Sequence, residues 1–334
     1  MNFRSIGPSR VGEIGLGCMP MSHAYGVPPP PRVAREVIDR ALDLGVTHLD
    51  TAALYGFGAN EQLLGEALAG RRHRVYLATK CGKTGVAGKR VIDGRPETIR
   101  RSCHESLERL RTDVIDLWYL HRWDKHVPLE DSLGAMADMV RAGHVRSIGL
   151  SEVSAATLKR AHAAHPVAAV QNEYSLWSRN PELGLLAACR ELGVALVAFS
   201  PLGRGFLADA IEDPAQFATG DIRRNMPRFQ PPHFATNRSL AAALRALAVG
   251  AGCTPAQLAL AWLLRTAPFV LPIPGTTSVA HLEENLGAAS VDIDATLAAR
   301  VDALINASTV SGPRYSADTL AEIDTEEFPP ASVG

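Results

Sequence analysis

The sequence predicts an α/β fold: a (β/α)8 TIM barrel with extra helices and long active-site loops. Three observations predict it. Eight short, apolar, strand-like segments alternate with helix-like segments along 334 residues. The strand segments are nearly continuous apolar runs, as expected of a parallel sheet covered on both faces. Polar residues able to do chemistry recur where these segments end, which is where such barrels keep their active sites. No low-complexity stretch divides the chain, so a single domain over residues 1–334 is expected.

The elements follow in order. Residues 13–19, EIGLGCM, read as the first strand, stopped by Pro20. Residues 32–45 form a helix whose Val33, Val37, Ile38, Ala41, Leu42 and Leu44 make one apolar stripe, with Gly45 as its stop. VTHLD is the second strand, and residues 60–70 a helix with Asn60 as a candidate N-cap. Residues 74–80 are the third strand, and 95–110 a helix with Pro96 in its first turn. Strands at 114–121, 145–151, 167–173 and 194–200 alternate with helices at 129–143, 154–164 and 181–193. An irregular stretch follows at about 202–237, long enough to expect a lid or binding loop. Two helices, the eighth strand at 269–275, a helix at 278–289 and one more helix precede an irregular tail. The rival architecture is a doubly wound nucleotide-binding sheet. Its glycine fingerprint should open a helix, whereas Gly15 and Gly17 lie inside the first strand.

Composition narrows the function classes. With 46% hydrophobic and 21% charged residues, and a net charge of −1, the chain carries no basic block to bind nucleic acid. The clusters at 70–74 and 223–224 are short and read as solvated surface. No segment has signal-peptide pattern or the roughly 18 apolar residues of a membrane span. The five cysteines include no C-x-x-C pair, so neither a disulfide framework nor a zinc site is expected. A reducing cytoplasm is the expected compartment.

The strand ends carry the chemistry. The second strand ends at Asp50, with Tyr55 just beyond; the third ends at Lys80, the fourth at His121. Ser151, Gln171, Asn172 and Ser200 end later strands. In a barrel, Asp50, Lys80 and His121 ring one mouth, with Tyr55 over them from its loop. A phenol is a poor acid at neutral pH unless a neighbouring cation eases its proton loss. An aspartate paired to the lysine would hold that cation in place, and a histidine could orient a carbonyl. Each residue alone also reads as scaffold: a cap, a loop aromatic, a surface lysine, a buried histidine. Their arrival at consecutive strand ends favours one proton-transfer unit. Cys81 reads as an inert buried thiol, and His162 and His165 as helix surface.

Several motifs stand in order: GLGCM, HLDTAALYGFGANEQLLGEAL, LATKCG, YLHRWD, IGLSE, VQNEYSLWSR, VAFSPLGRGFL and PIPGTTSVAHLEEN. In this order the chain resembles the aldo-keto reductase superfamily over nearly its whole length. It is most similar to bacterial reductases with SPLGRGFL and a late IPGT…LEEN segment, a branch that includes pyridoxal-reductase-like enzymes. The resemblance implies a catalytic tetrad of Asp50, Tyr55, Lys80 and His121, with Tyr55 as general acid. It implies NADP(H) bound across the barrel mouth without a Rossmann domain. Ser151 and Gln171 would hold the nicotinamide amide and Phe199 would stack on its ring. Ser200, Leu202 and Arg204 would line the pyrophosphate, with Gly275, Thr277, His281, Glu284 and Asn285 at the adenosine end. Two positions depart from the family pattern. Glu152 stands where many relatives have Asn, and Gly275 and His281 where many have Lys and Arg around the 2′-phosphate. NAD(H) therefore stays open beside NADP(H).

The resemblance implies reduction of a small-molecule carbonyl substrate to an alcohol, with no nucleic-acid or membrane partner and no metal. Substrate choice is expected from the loops at 20–31, 122–128 and 202–237 and the tail at 311–316, with Met19, Met21, Tyr25, Trp123 and Trp177 as candidates for a wide, partly aromatic pocket. Three other readings stand beside it: a non-catalytic nicotinamide-binding sensor, a Schiff-base lyase using Lys80, and a metal-dependent hydrolase. The last would need an H-x-H at a strand end. The outer helices suit a monomer or an oligomer.

Overall fold

The protein is described from a computed structural model covering residues 2–86 and 89–328. Residues 1, 87, 88 and 329–334 of the expected 1–334 domain lie outside the described residues. The chain opens with a hairpin that sequence reading missed, β1 (Phe3–Ile6) and β2 (Ser9–Gly12), turning at Gly7 with φ +53°. Its Ile6 and Val11 are fully buried against Tyr76, Leu117 and Tyr119 inside the sheet, so the hairpin closes the floor.

The barrel strands are β3 (Leu16–Gly17), β4 (His48–Asp50) and β5 (Tyr76–Cys81). A second hairpin, β6 (Lys83–Val86) with β7 (Lys89–Ile92), interrupts them above the mouth. The barrel resumes with β8 (Ile115–Leu120), β9 (Val145–Ser151), β10 (Val167–Glu173), β11 (Ala195–Phe199) and β12 (Val270–Pro272). These eight strands lie parallel in chain order. The seam closes where Gly15 N donates to Pro272 O at 3.0 Å and Gly17 N to Pro274 O at 3.1 Å. A Cβ on Gly17 would stand 2.8 Å from the Ile273 carbonyl oxygen, and one on Gly275 2.8 Å from that of Gly17. The early glycines thus serve the seam and not a dinucleotide-binding turn.

The helices are α1 (Pro31–Asp43), α2 (Ala59–Ala67), α3 (Pro96–Leu110), α4 (Leu129–Arg141), α5 (Ala155–Ala164) and α6 (Leu185–Leu192). They continue with α7 (His233–Gly250), α8 (Pro255–Thr266), α9 (Val279–Gly287), α10 (Ala295–Leu304) and α11 (Ala317–Ala321). The α1 stripe buries Ala34, Val37, Ile38, Ala41 and Leu42 against the barrel, while Val33 and Leu44 stay partly exposed. Burial of each large aliphatic side chain contributes about 1.5–3 kcal/mol. Among the described residues no single helix is long and apolar enough to cross a membrane.

Three sequence expectations change. Asn60 is not an N-cap: α2 starts at Ala59, and the Asn60 amide donates to Cys18 O and Ser22 Oγ while its oxygen accepts from Thr51 Oγ1. It ties the loop after β4 to the loop after β3. The expected helix at 181–193 is a 3-10 turn and then α6, broken at Gly184. The expected irregular stretch at 202–237 ends early, because α7 already begins at His233.

Candidate active site

Parallel pairing sets the height of each strand end at the mouth. Gly17 pairs with Asp50, Asp50 with Ala78, Lys80 with Tyr119, and Gln171 with Ser151. Inward side chains of β4 and β5 therefore meet. Lys80 Nζ lies 2.5 Å from Asp50 Oδ1, 2.7 Å from the Thr51 carbonyl oxygen and 3.4 Å from the Tyr55 hydroxyl. Tyr55 comes from a tight 3-10 turn whose Gly56, Phe57 and Gly58 take positive φ, which brings its ring back over the strands. The His121 ring stands edge-on to Tyr55, with centroids 6.0 Å apart. The structure thus brings Asp50, Tyr55, Lys80 and His121 together.

The electrostatics are set by burial and by the ion pair. Burial pulls the Lys80 ammonium down, but Asp50 and Tyr55 outweigh it and hold the group above its ordinary value. Burial pushes the Tyr55 phenol up, Lys80 draws it down and Asp50 pushes it up, with a net rise. The expectation that Lys80 eases proton loss captured only one of these contributions. Burial, then the charges of Arg122, Lys80 and Lys83, holds the His121 imidazole well below its usual range. His121 is neutral at pH 7, and its Nδ1 has no protein partner. Two residues below Asp50, His48 is fully buried with both ring nitrogens unpartnered, its pKa lowered to about 4 by burial first. Cys81 is buried and its thiol lies well above the usual range, so it is inert.

Two cavities open at this mouth. The larger, of about 590 Å³, runs from Asp50 and Tyr55 past Phe199, Ser200, Leu202 and Arg204 to Gly275, Thr277, His281, Glu284 and Asn285. The smaller, of about 370 Å³, is lined by His121, Arg122, Ser151, Lys83, Asn225 and Tyr315, among others. Met19, Tyr55, Gln171, Phe199 and Arg204 line both. Ser151 lies on the smaller cavity only, and its Oγ accepts from Arg122 Nη1 at 3.3 Å. The Gln171 amide donates to Asp50 Oδ2 at 2.7 Å, which braces the carboxylate from the opposite side to Lys80. Of the expected pocket residues, Met19 and Tyr25 line the cavities. Met21 is buried, Trp177 stacks on Phe206 at 3.9 Å in the core, and Trp123 donates to Val127 O away from the mouth.

Arg204 lines the larger cavity but is also tied to the protein: its Nη2 pairs with Glu173 Oε2 at 3.1 Å and donates to the Tyr315 hydroxyl at 3.0 Å. Burial would raise the Glu173 carboxyl, but Arg204 and Arg314 outweigh it and hold it below its ordinary value. Glu152 has a structural reason too. Its carboxylate accepts from the Glu173 N–H at 2.8 Å and pairs with Arg314 at 3.0 Å, both side chains buried. Two buried carboxylates at the ends of β9 and β10 therefore hold the C-terminal segment against the mouth. The loop after β11 is fixed similarly: Ile222 N donates to Ala24 O at 2.9 Å, a strap between the two cavities. Sequence reading gave no individual role to Arg122, Glu173, Arg223, Arg314 or Tyr315, although all but Glu173 lie in the segments it named as substrate loops, 122–128, 202–237 and 311–316. Arg122 and Glu173 stood inside quoted motifs, at the strand ends where they act. The tail segment 311–316 was expected near the substrate, but the partners of Arg314 and Tyr315 lie more than 140 residues away and could not be read from it.

Comparison with known proteins agrees with this fold. Residues 13–306 match the profile of the aldo/keto reductase family. The chain is similar to the aldo-keto reductase yakc, named for NADP(+), of Schizosaccharomyces pombe: 43% identical over 98% of both chains. Among solved structures it is similar to a glycerol dehydrogenase from Gluconobacter oxydans, with TM-score 0.83, 26% identity and 93% and 97% of the two chains covered. It is also similar to the holo form of an aldo-keto reductase from Bacillus halodurans, with TM-score 0.77, 27% identity and 95% and 100% covered. A (β/α)8 barrel with this mouth, matched by the family profile over most of its length, belongs to the aldo/keto reductase family.

Proposed function

We propose that the protein reduces an aldehyde or ketone to the alcohol with NADP(H), using Tyr55 as proton donor. The observation that carries the reading is that Tyr55 lines both cavities at the point where they meet. A carbonyl in the smaller cavity and a nicotinamide in the larger would face each other across it. When bound, the dihydronicotinamide supplies the hydride that the carbonyl carbon receives.

The chain's residues do the rest. The Tyr55 hydroxyl gives its proton to the carbonyl oxygen, and the phenolate left behind faces the Lys80 ammonium. Asp50 keeps Lys80 charged in a site where burial would neutralise it. Gln171 and Lys80 fix the two Asp50 oxygens. Neutral His121 offers a hydrogen bond to orient the carbonyl, which an imidazolium could also donate but only at the cost of a second buried cation. The raised phenol stays protonated at neutral pH, as a donor must.

The larger cavity suits the dinucleotide. Phe199 gives a flat, half-exposed ring for stacking. Gly275, kept free of a side chain by the seam, allows backbone approach. Thr276, Thr277 and Ser278 and the N-terminus of α9 offer hydroxyls and N–H donors to a phosphate. NADP(H) over NAD(H) is supported by the name of the 43%-identical relative. Purified protein given an aromatic aldehyde should consume NADPH faster than NADH, followed at the reduced-nicotinamide absorbance. No consumption of either cofactor across a panel of aldehydes and ketones would overturn the reading.

A further inference from the structure

Beside Tyr55 and His121, the smaller cavity holds a cation without a counter-charge. Arg122 directly follows His121 at the end of β8. Its Nη1 donates to the His121 carbonyl oxygen at 2.6 Å and to Ser151 Oγ at 3.3 Å. Both are neutral acceptors. Its Nε is buried and has no acceptor. Among the described residues no carboxylate forms an ion pair with it, although the side chain is only partly exposed.

The other inward charges of this cavity are matched. Lys83 pairs with Glu322 and Arg204 with Glu173. Arg90 and Asp318 stand exposed at the rim with opposite signs. The unmatched charge therefore belongs to Arg122. Its neighbours register it: after burial, Arg122 is the next cause that pulls the Lys83 ammonium and the His121 imidazole down. A partly buried guanidinium with unused donors is costly unless an anion completes it. Arg122 lines the smaller cavity and not the larger, so that anion would belong to the substrate.

We propose that Arg122 is the specificity-determining residue of the substrate cavity, and that it selects carbonyl compounds carrying an oxyanion, a carboxylate or a phosphate. A guanidinium presents planar paired donors that match both groups. The proposal rests on the smaller cavity being the carbonyl site. The carbonyl would meet Tyr55 and His121 while the anion meets Arg122.

The test compares 4-carboxybenzaldehyde with its methyl ester, a neutral aldehyde of similar shape. The parent protein should show the higher kcat/KM for the acid. Arg122→Met should lower kcat/KM for the acid by about 10- to 100-fold, the range for losing a charged hydrogen-bond partner. The loss should fall mainly on KM, with a change of under about threefold for the ester by the same reasoning. Arg122→Lys should recover part of the preference. Calorimetric titration with benzoate, phenyl phosphate and benzamide reads the site without turnover. Tighter binding of benzoate assigns a carboxylate, and of phenyl phosphate a phosphate; either preference should vanish in Arg122→Met. Equal binding of all three, or equal loss on acid and ester, overturns the proposal. Failure to reduce these two aldehydes and every other member of the aldehyde and ketone panel would sink the reductase reading instead, and the titration would still decide the role of Arg122.

Discussion

Replacing Asp50 by Asn should expose how the mouth keeps its lysine charged. The change keeps the shape of the side chain and removes one charge. Lys80 would remain buried, its side chain 1% exposed, with only uncharged acceptors: the Thr51 carbonyl, the Tyr55 hydroxyl and the new amide oxygen. Removing one partner of a buried pair costs about 3–5 kcal/mol. At ~2.1 cal/mol/K per residue, 334 residues give an unfolding entropy of about 0.7 kcal/mol/K. The expected drop in Tm at pH 7 is therefore about 4–7 °C. Its pH dependence has a definite sign. In the parent, Lys80 is raised, so its contribution is full below the unfolded lysine pKa and is lost as pH rises through the folded value. In the variant the largest remaining effect is burial, which lowers Lys80. The unfolded chain then binds the extra proton, and stability recovers as pH rises. The Tm deficit should shrink between pH 7 and pH 10. Thermal scans of both proteins across that range test this. A deficit below about 1 °C, or one independent of pH, would refute the claim that burial opposes the Lys80 charge and Asp50 maintains it.

Two further outcomes follow from buried groups away from the mouth's centre. His48 is neutral in the fold with a pKa of about 4, against about 6.5 when unfolded. A base lowered by folding favours the unfolded chain as pH falls, so stability should decline from pH 6.5 to pH 4 by up to about 3 kcal/mol. His48→Leu should flatten that slope in urea titrations, and an unchanged slope would contradict the assignment. Arg314→Met would leave Glu152 buried without its cation, at a cost of about 3–5 kcal/mol. It should loosen the C-terminal segment, read as faster proteolysis after Tyr315 and a lower Tm. An unchanged cleavage rate would show that Glu152 does not hold the tail.

The barrel was legible because its strands are apolar runs separated by helical stripes, a pattern few other folds require. Asp50, Lys80 and His121 were legible for the same reason: strand ends converge in a barrel, so neighbours around the mouth can be read from chain order. The N-terminal hairpin was not. Phe3–Ile6 and Ser9–Gly12 are short and half polar, and only Ile6 and Val11 reveal that one face plugs the floor. Asn60 was misread because Asn before a helix suggests a cap, while its tertiary partners, Cys18 and Ser22, are invisible in local sequence. Arg204 was placed by motif at the pyrophosphate, and it lines the larger cavity. Its pairing with Glu173 and Tyr315 depends on a tail that meets the barrel only in three dimensions. Glu152 shows the same limit: a departure in sequence becomes a buried ion pair once Arg314 arrives.

If Tyr55 gives the proton at the junction of the two cavities, Tyr55→Phe should separate chemistry from cofactor binding, with aldehyde-dependent NADPH oxidation and NADPH binding measured on the same preparation. Turnover should fall by at least about 100-fold, the contribution of a positioned general acid. NADPH affinity should stay within about threefold of the parent, because only a hydroxyl at the cavity junction is removed. Turnover at the parent rate would contradict that role of Tyr55.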